Sequence, residues 1–399
     1  MDIDAEALIA FTQQLVRIPS VHDPATGRSE EPVAHLVAAT MREWGWSPML
    51  EEVAPGRPNV ICTIDGGLPG PTLLFEGHSD VVTEGDLSGW AVDPFGATIV
   101  DGRLYGRGAA DMKGGVAAML FAARALAAAG PFPGRLRVAV LVDEEGLMLG
   151  AKDFVARGHA DDVDAAICCE PEAGEVCHVA KGALRIHVTF TGAMAHGAMP
   201  HQGRNPLPAL ATFVNGLAPF QDELQTTHPT DAYLGDVYLT PTVLRAGEPV
   251  QMNVIPAAAE VWVDVRTIPG VDHDQVVARL DELAAKAASA HDVEHGLDVI
   301  DDRPAVHTPS DAPITRSMLA AHEDVTGEPG RLGGVPGATD GTVITSRAGV
   351  PSIVYGPGGK WIAHQADEFV EVAELVQSAE VYRRAAERFL SLGDVARRR

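Results

Sequence analysis

His78 and Asp80 stand two residues apart, and in extended backbone that spacing puts both side chains on one side of a strand. A carboxylate so placed can accept an imidazole N–H, fix the ring's tautomer and make its other nitrogen a better metal ligand. Glu144 and Glu145 are adjacent acids at the end of an apolar run, where two like charges are costly unless a cation or a proton compensates them. Glu170 ends another such run. Asp111 lies inside the glycine-rich stretch Gly106-Arg-Gly-Ala-Ala-Asp-Met-Lys-Gly-Gly115, which opens an alanine-rich helix expected to stop at Gly130-Pro131. This is not a phosphate cradle. It lacks Gly-x-x-x-x-Gly-Lys-Ser/Thr, and the aspartate at 111 breaks a dinucleotide fingerprint. Close backbone approach around one buried acid fits better.

The elements around these residues explain how they could meet. The runs Thr72–Phe75, Leu136–Val142 and Ala165–Cys169 are nearly all apolar, as strands buried on both faces should be. Each ends on the polar residues just named, and in open α/β sheets ligands bind outside the carboxyl ends of the strands. Helices are predicted at Asp4–Arg17 and Glu31–Trp44, giving an α/β layer fold with a mostly parallel sheet. After Gly182 the texture changes. A strand (Leu184–Thr191), a helix (Pro206–Leu217), strands near Thr242–Ala246 and Ala258–Arg266, a helix (Asp272–His291) and a last strand form a β-α-β-β-α-β, ferredoxin-like α+β unit. The expected division is a discontinuous catalytic domain, 1–180 and 296–399, interrupted by an inserted domain, 181–295. A strand at Ser352–Tyr355 and a closing helix at Val370–Leu392 complete the first.

Composition narrows the function. At 399 residues the chain suits two domains, and 46% hydrophobic content is ample for two cores. A formal charge of −25 argues against nucleic-acid partners and anionic membrane surfaces, which call for a basic face. The acidic N-terminus is unlike a secretory signal and no run reaches about 18 apolar residues, so a cytoplasmic protein is expected. Cys62, Cys168, Cys169 and Cys177 form no Cys-x-x-Cys pair and read as buried free thiols.

Taken together, Phe75-Glu-Gly-His-Ser-Asp80, Gly106–Gly115, Asp143-Glu-Glu-Gly146, Glu170-Pro171 and Ala363-His-Gln-Ala-Asp-Glu368 resemble the M20 metallopeptidase family along essentially the whole chain. That family includes acetylornithine deacetylases, succinyl-diaminopimelate desuccinylases, aminoacylases and glutamate carboxypeptidases. The resemblance implies one metal held by His78 and Glu170, a second by Glu145 and His364, and Asp111 bridging both through a carboxylate followed by a cis peptide to Met112. It implies Asp80 orienting His78 and Glu144 as the acid/base. It makes the inserted domain a dimerisation lid, whose His196 stabilises the oxyanion in the partner subunit's site. Asn253 and Arg266 would hold the substrate's carboxylate end. The segments Gly337–Gly341, with Thr339, and Gly356–Gly358 resemble substrate-pocket loops. Thr83, Glu172, Leu147 and Met148 depart from the family's usual residues without removing a ligand, which leaves the chemistry intact and the substrate subclass open.

Histidine and carboxylate ligands without cysteine suit two zinc ions, with cobalt or manganese as substitutes. Three carboxylates and one hydroxide would balance the two divalent charges, as a partly buried site prefers. The expected activity is hydrolysis of the amide of an N-acyl amino acid. A dipeptidase or carboxypeptidase with the same site is the alternative, and a non-catalytic binding relative is remote because all five ligands and Glu144 are present.

Overall fold

A computed structural model describes the backbone of residues 2–397 and the side chains of residues 2–392. Two compact units emerge. The first comprises residues 1–178, 307–335 and 339–399, and the second residues 179–306 with 336–338. The expected boundary at 295 falls too early, because the strand Glu294–Arg303 pairs along its length with Gly182–Thr191 and so belongs to the second unit.

The first unit is built on a mixed sheet, six of whose strands run in the order Met49–Ala54, Arg57–Asp65, Phe132–Leu141, Gly67–His78, Ala165–Cys168, Ser352–Val354. Only the inner pairings are parallel: Phe132–Leu141 with Gly67–His78, Gly67–His78 with Ala165–Cys168, and Ala165–Cys168 with Ser352–Val354. Arg57–Asp65 pairs antiparallel on both sides, so the α/β sheet is parallel at its centre and antiparallel at this edge. Its pairing with Met49–Ala54 is a hairpin: the chain turns at Gly56 from one strand straight into the next, and so short a link can only reverse direction. The helices Ala5–Val16, Gly114–Ala128 and Val372–Arg397 share a core with this sheet through Leu15, Phe121, Phe75, Tyr382 and Leu390. The closing helix starts at Val372, later than expected. Phe369–Glu371 instead forms a short strand against Arg103–Tyr105.

In the second unit, the four strands Tyr238–Ala246, Ala258–Thr267, Gly182–Thr191 and Glu294–Arg303 lie in that order, every neighbour antiparallel. With the helices Leu207–Thr227 and His273–Ala290 they make the β-α-β-β-α-β arrangement. The first helix was expected to end at Leu217 but continues ten residues further through Pro219. Leu210, Phe213, Leu217, Phe220 and Leu224 recur at intervals of three and four and are all buried. Burial of about 1.5–3 kcal/mol per side chain outweighs the roughly 3 kcal/mol cost of an interior proline.

Candidate metal centre

The parallel register brings the chemistry to one edge. His78 pairs with Leu141, and Glu76 with Cys168, so the residues following Leu141 and Cys168 leave the sheet beside His78. Those residues include Glu144, Glu145 and Glu170. Asp111 arrives from another direction, at a cis peptide to Met112 just before the helix Gly114–Ala128. That helix lies so close to the sheet that a β-carbon on Gly115 would sit 1.9 Å from the carbonyl oxygen of Cys169, one residue before Glu170. Only glycine fits there.

The two carboxylate oxygens of Asp111 face different imidazoles. Oδ1 lies 3.2 Å from His78 Nε2, and Oδ2 lies 3.2 Å from His364 Nε2. Glu170 Oε1 is 3.5 Å from His78 Nε2, and Glu145 Oε1 is 2.8 Å from His364 Nε2. Two ligand atoms bound to one zinc at about 2.05 Å in tetrahedral geometry would be about 3.3 Å apart. The donors are therefore spaced for two cations with Asp111 between them, and the residues fit the group the sequence implies. Glu144 also comes within 4.8 Å of the His78 and Glu170 ligand atoms.

Charge tells the same story. Burial pushes the carboxyls of Glu170 and Glu144 well above the usual range, and nearby acids, Asp111 beside Glu170 and Glu145 beside Glu144, push them further. Glu145 is raised by burial too. Burial would also raise Asp111, but hydrogen bonds from His364 and His78 outweigh it and hold that carboxyl far below its ordinary value. Contacts with Asp111 and Glu145 lift His364 to about 10. A cluster of buried carboxylates so arranged favours nearby positive charge.

Asp80 does more than face His78. The imidazole Nδ1 is 3.0 Å from the Asp80 backbone carbonyl oxygen and 3.5 Å from Oδ1. The Asp80 carboxylate accepts the backbone N–H groups of Glu144 (3.2 Å) and Glu145 (3.0 Å). One residue thus aligns His78 with the loop carrying the acid pair.

The sequence profile of Peptidase family M20/M25/M40 matches residues 74–388. The chain belongs to this family. It is 32% identical over 393 residues to the succinyl-diaminopimelate desuccinylase of Rhodospirillum centenum, covering 96% of this chain and 97% of that one. It is 33% identical to the enzyme of the same name from a Methylobacterium species, covering 94% of each. Among solved structures, the M20 metallo-carboxypeptidase of Sulfolobus solfataricus superposes with a TM-score of 0.77 at 20% identity, covering 98% of this chain and 99% of that one. A dinuclear metal binding M20 peptidase of Bacillus subtilis gives a TM-score of 0.73 at 18% identity, covering 97% and 98%. The protein is a metal-dependent amide hydrolase of M20 type.

Within this M20 chain the remaining expected residues have varied surroundings. In the second unit His196 and Asn253 are neighbours: Ala195–His196 pairs with Val254–Ile255, and Asn253 Nδ2 is 3.5 Å from His196 Nε2. The N–H of Ala198 donates to His196 Nδ1 at 3.0 Å, which leaves Nε2 as the ring nitrogen facing Asn253. Arg266 is already engaged, with Nε and Nη2 donating to the carboxylate of Asp264 at 2.7 and 3.1 Å. Thr339 is buried and caps the helix Asp340–Ala348 in a reciprocal pair with Thr342. Gly356 accepts the N–H of Glu172 at 3.5 Å, beside the Glu170 segment.

Sequence reasoning passed over Arg107 and Glu368. The fully buried carboxylate of Glu368 accepts the N–H groups of Ala110 and Asp111 at 3.0 Å each and pairs with Arg107, whose Nη2 donates to the His364 carbonyl at 3.2 Å. One ion pair thus joins the segments carrying Asp111 and His364. Both residues lie inside quoted motifs, but no spacing rule marks them as partners 261 positions apart.

Proposed function

We propose that this M20 hydrolase removes the acyl group from an N-acyl amino acid, with a succinylated amine as the leading substrate class, using two divalent ions of the zinc type. The observation that carries the reading is Asp111, with one carboxylate oxygen toward His78 and Glu170 and the other toward His364 and Glu145. The acyl preference rests on whole-length similarity to desuccinylases. When bound, the ions would lower the pKa of a shared water toward about 7 and polarise the amide carbonyl. Glu144, half-ringed by acids and pushed up by burial, takes the proton from the attacking water and returns it to the leaving amine. Asp80 holds the backbone of Glu144 in place during both transfers.

His196 would donate its Nε2–H to the developing oxyanion. We assign it to the active site of a second copy in a homodimer formed through the inserted domain. The strand Tyr238–Ala246 supports this: it is a sheet edge exposed at nearly every position, a hazard unless paired or covered. Asn253 and Arg266 would receive a substrate carboxylate, Arg266 after exchanging Asp264. Among the described residues no helix is long and apolar enough to cross a membrane. All four cysteines are free and buried, which supports a reducing, cytoplasmic setting.

The test is a panel of succinyl, acetyl and formyl amino acids beside dipeptides, offered to zinc- and cobalt-loaded protein with released amine as the readout. Turnover of a succinyl substrate at least about 10²-fold above every dipeptide is expected, a gap of about 2.7 kcal/mol in transition-state binding. The reverse order would favour a dipeptidase.

A further inference from the structure

The loop carrying Glu144 and Glu145 has no regular structure of its own, and what fixes it comes from a strand of distant sequence. In the antiparallel pairing of Arg57–Asp65 with Phe132–Leu141, Val60 lies opposite Val140, so continuing that register by three steps sets Arg57 opposite Asp143. Two residues apart, Arg57 and Asn59 project to the same side. Asn59, fully buried, accepts the N–H of Val142 at 3.1 Å and donates to the carbonyl of Gly150 at 3.0 Å, so one amide side chain ties together the two ends of the loop. Arg57 places Nη2 2.7 Å from Asp143 Oδ1. The other carboxylate oxygen of Asp143 accepts the N–H of Leu147 at 2.9 Å. Asp143 holds a left-handed backbone, φ 68°, and a β-carbon on Gly146 would lie 2.6 Å from its carboxylate, so the turn is wrapped tightly around that group. Arg57 is itself held: its Nε donates to both oxygens of the buried Glu30 at 3.0 Å. All three charged groups are nearly sealed from water.

We infer that Arg57 and Asn59 are positioning residues for the reaction, forming a clamp that sets the loop bearing the proton-transfer residue Glu144 and the ligand Glu145, with Glu30 fixing the direction of Arg57. Neither residue reaches the reacting atoms. Asn59 sets the loop's ends and Arg57 its turn, while Asp80 holds the two amides between them. Displacement by an ångström is enough to cost about 10²-fold in rate, and partners one step removed from a metal ligand change its affinity by about 10- to 100-fold.

The inference rests on the roles proposed for Glu144 and Glu145, and the test separates the two. Because Arg57→Met alone would strand the buried Glu30 charge, the variants are Arg57→Met/Glu30→Gln, Asn59→Ser, Arg57→Lys and, as a control, Glu145→Ala. Each is followed by thermal unfolding, by zinc affinity in competition with a chromophoric chelator, and by kcat and KM on the best acyl substrate. The double variant and Asn59→Ser should fold, lose at least about tenfold in affinity for one ion and about 10²-fold in kcat, and keep KM within about threefold, with Arg57→Lys partly restored. Folded clamp variants with both ion affinities and kcat within about threefold of wild type would overturn the clamp, provided that Glu145→Ala loses an ion. If Glu145→Ala keeps both ions, the reading of the loop fails instead. Should the double variant not fold, Asn59→Ser decides by the same measurements.

Discussion

The two units carry their functional residues in opposite ways. Around the candidate metal centre the supporting groups hold specific partners: Asp80 holds two amides, Glu368 two more, and the carboxylates face the imidazoles. In the second unit the expected residues are more thinly supported: His196 and Asn253 are exposed neighbours, with His196 accepting from Ala198, while Arg266, further along its strand, is half-buried and neutralised by Asp264. The side chains of the candidate metal centre are held in place from within their own unit. His196 and Asn253 lack that support, and the proposed role of His196 in a second copy's site is where this contrast can be tested.

Removing the metal sharpens that contrast most. Chelation should abolish turnover altogether, and zinc or cobalt should restore it, because the five proposed ligands are brought together from separate segments; turnover in verified metal-free protein would break the comparison at its root. Next in size is His196→Ala, expected to lower kcat by about 10²- to 10³-fold, the usual cost of losing an oxyanion donor, with metal content unchanged. Mixing it with Glu144→Gln protein should recover part of the activity through heterodimers. No recovery after proven subunit exchange would mean that His196 does not act across subunits.

A smaller effect is expected from Arg266→Met. It should raise KM for a carboxylate-bearing substrate by about tenfold, one charge-assisted contact of about 1.4 kcal/mol, and leave kcat near wild type. A fall in kcat alone would give Arg266 another role. Smallest of all, the thiols should be inert in the native protein. Burial pushes Cys168, Cys169 and Cys177 well up from ordinary thiol values, so a thiol reagent should titrate them only on unfolding. Rapid native labelling would contradict that.

The convergence of the candidate ligands was legible because several of them sit at the ends of apolar runs, and a parallel register aligns strand ends whatever lies between them. The positions of His78, Glu145 and Glu170 follow from that alone, while His364 needed the family resemblance. What stayed hidden was support that no local pattern encodes: Glu368 reaching back to Asp111, and Arg57 holding Asp143. Thr339 was assigned to a pocket because its loop resembles one, while its hydroxyl caps a helix. An element's end was misplaced where tertiary burial overrode a breaker, as at Pro219.

The central claim is that Glu144 moves protons and does not bind metal, although it stands within 4.8 Å of the His78 and Glu170 ligand atoms. Glu144→Gln keeps the shape and removes the base. Measuring metal per chain and turnover on the same preparation tests the claim directly: the account predicts about two ions retained and turnover lowered by at least about 10²-fold. Loss of an ion together with activity would contradict it and make Glu144 a ligand.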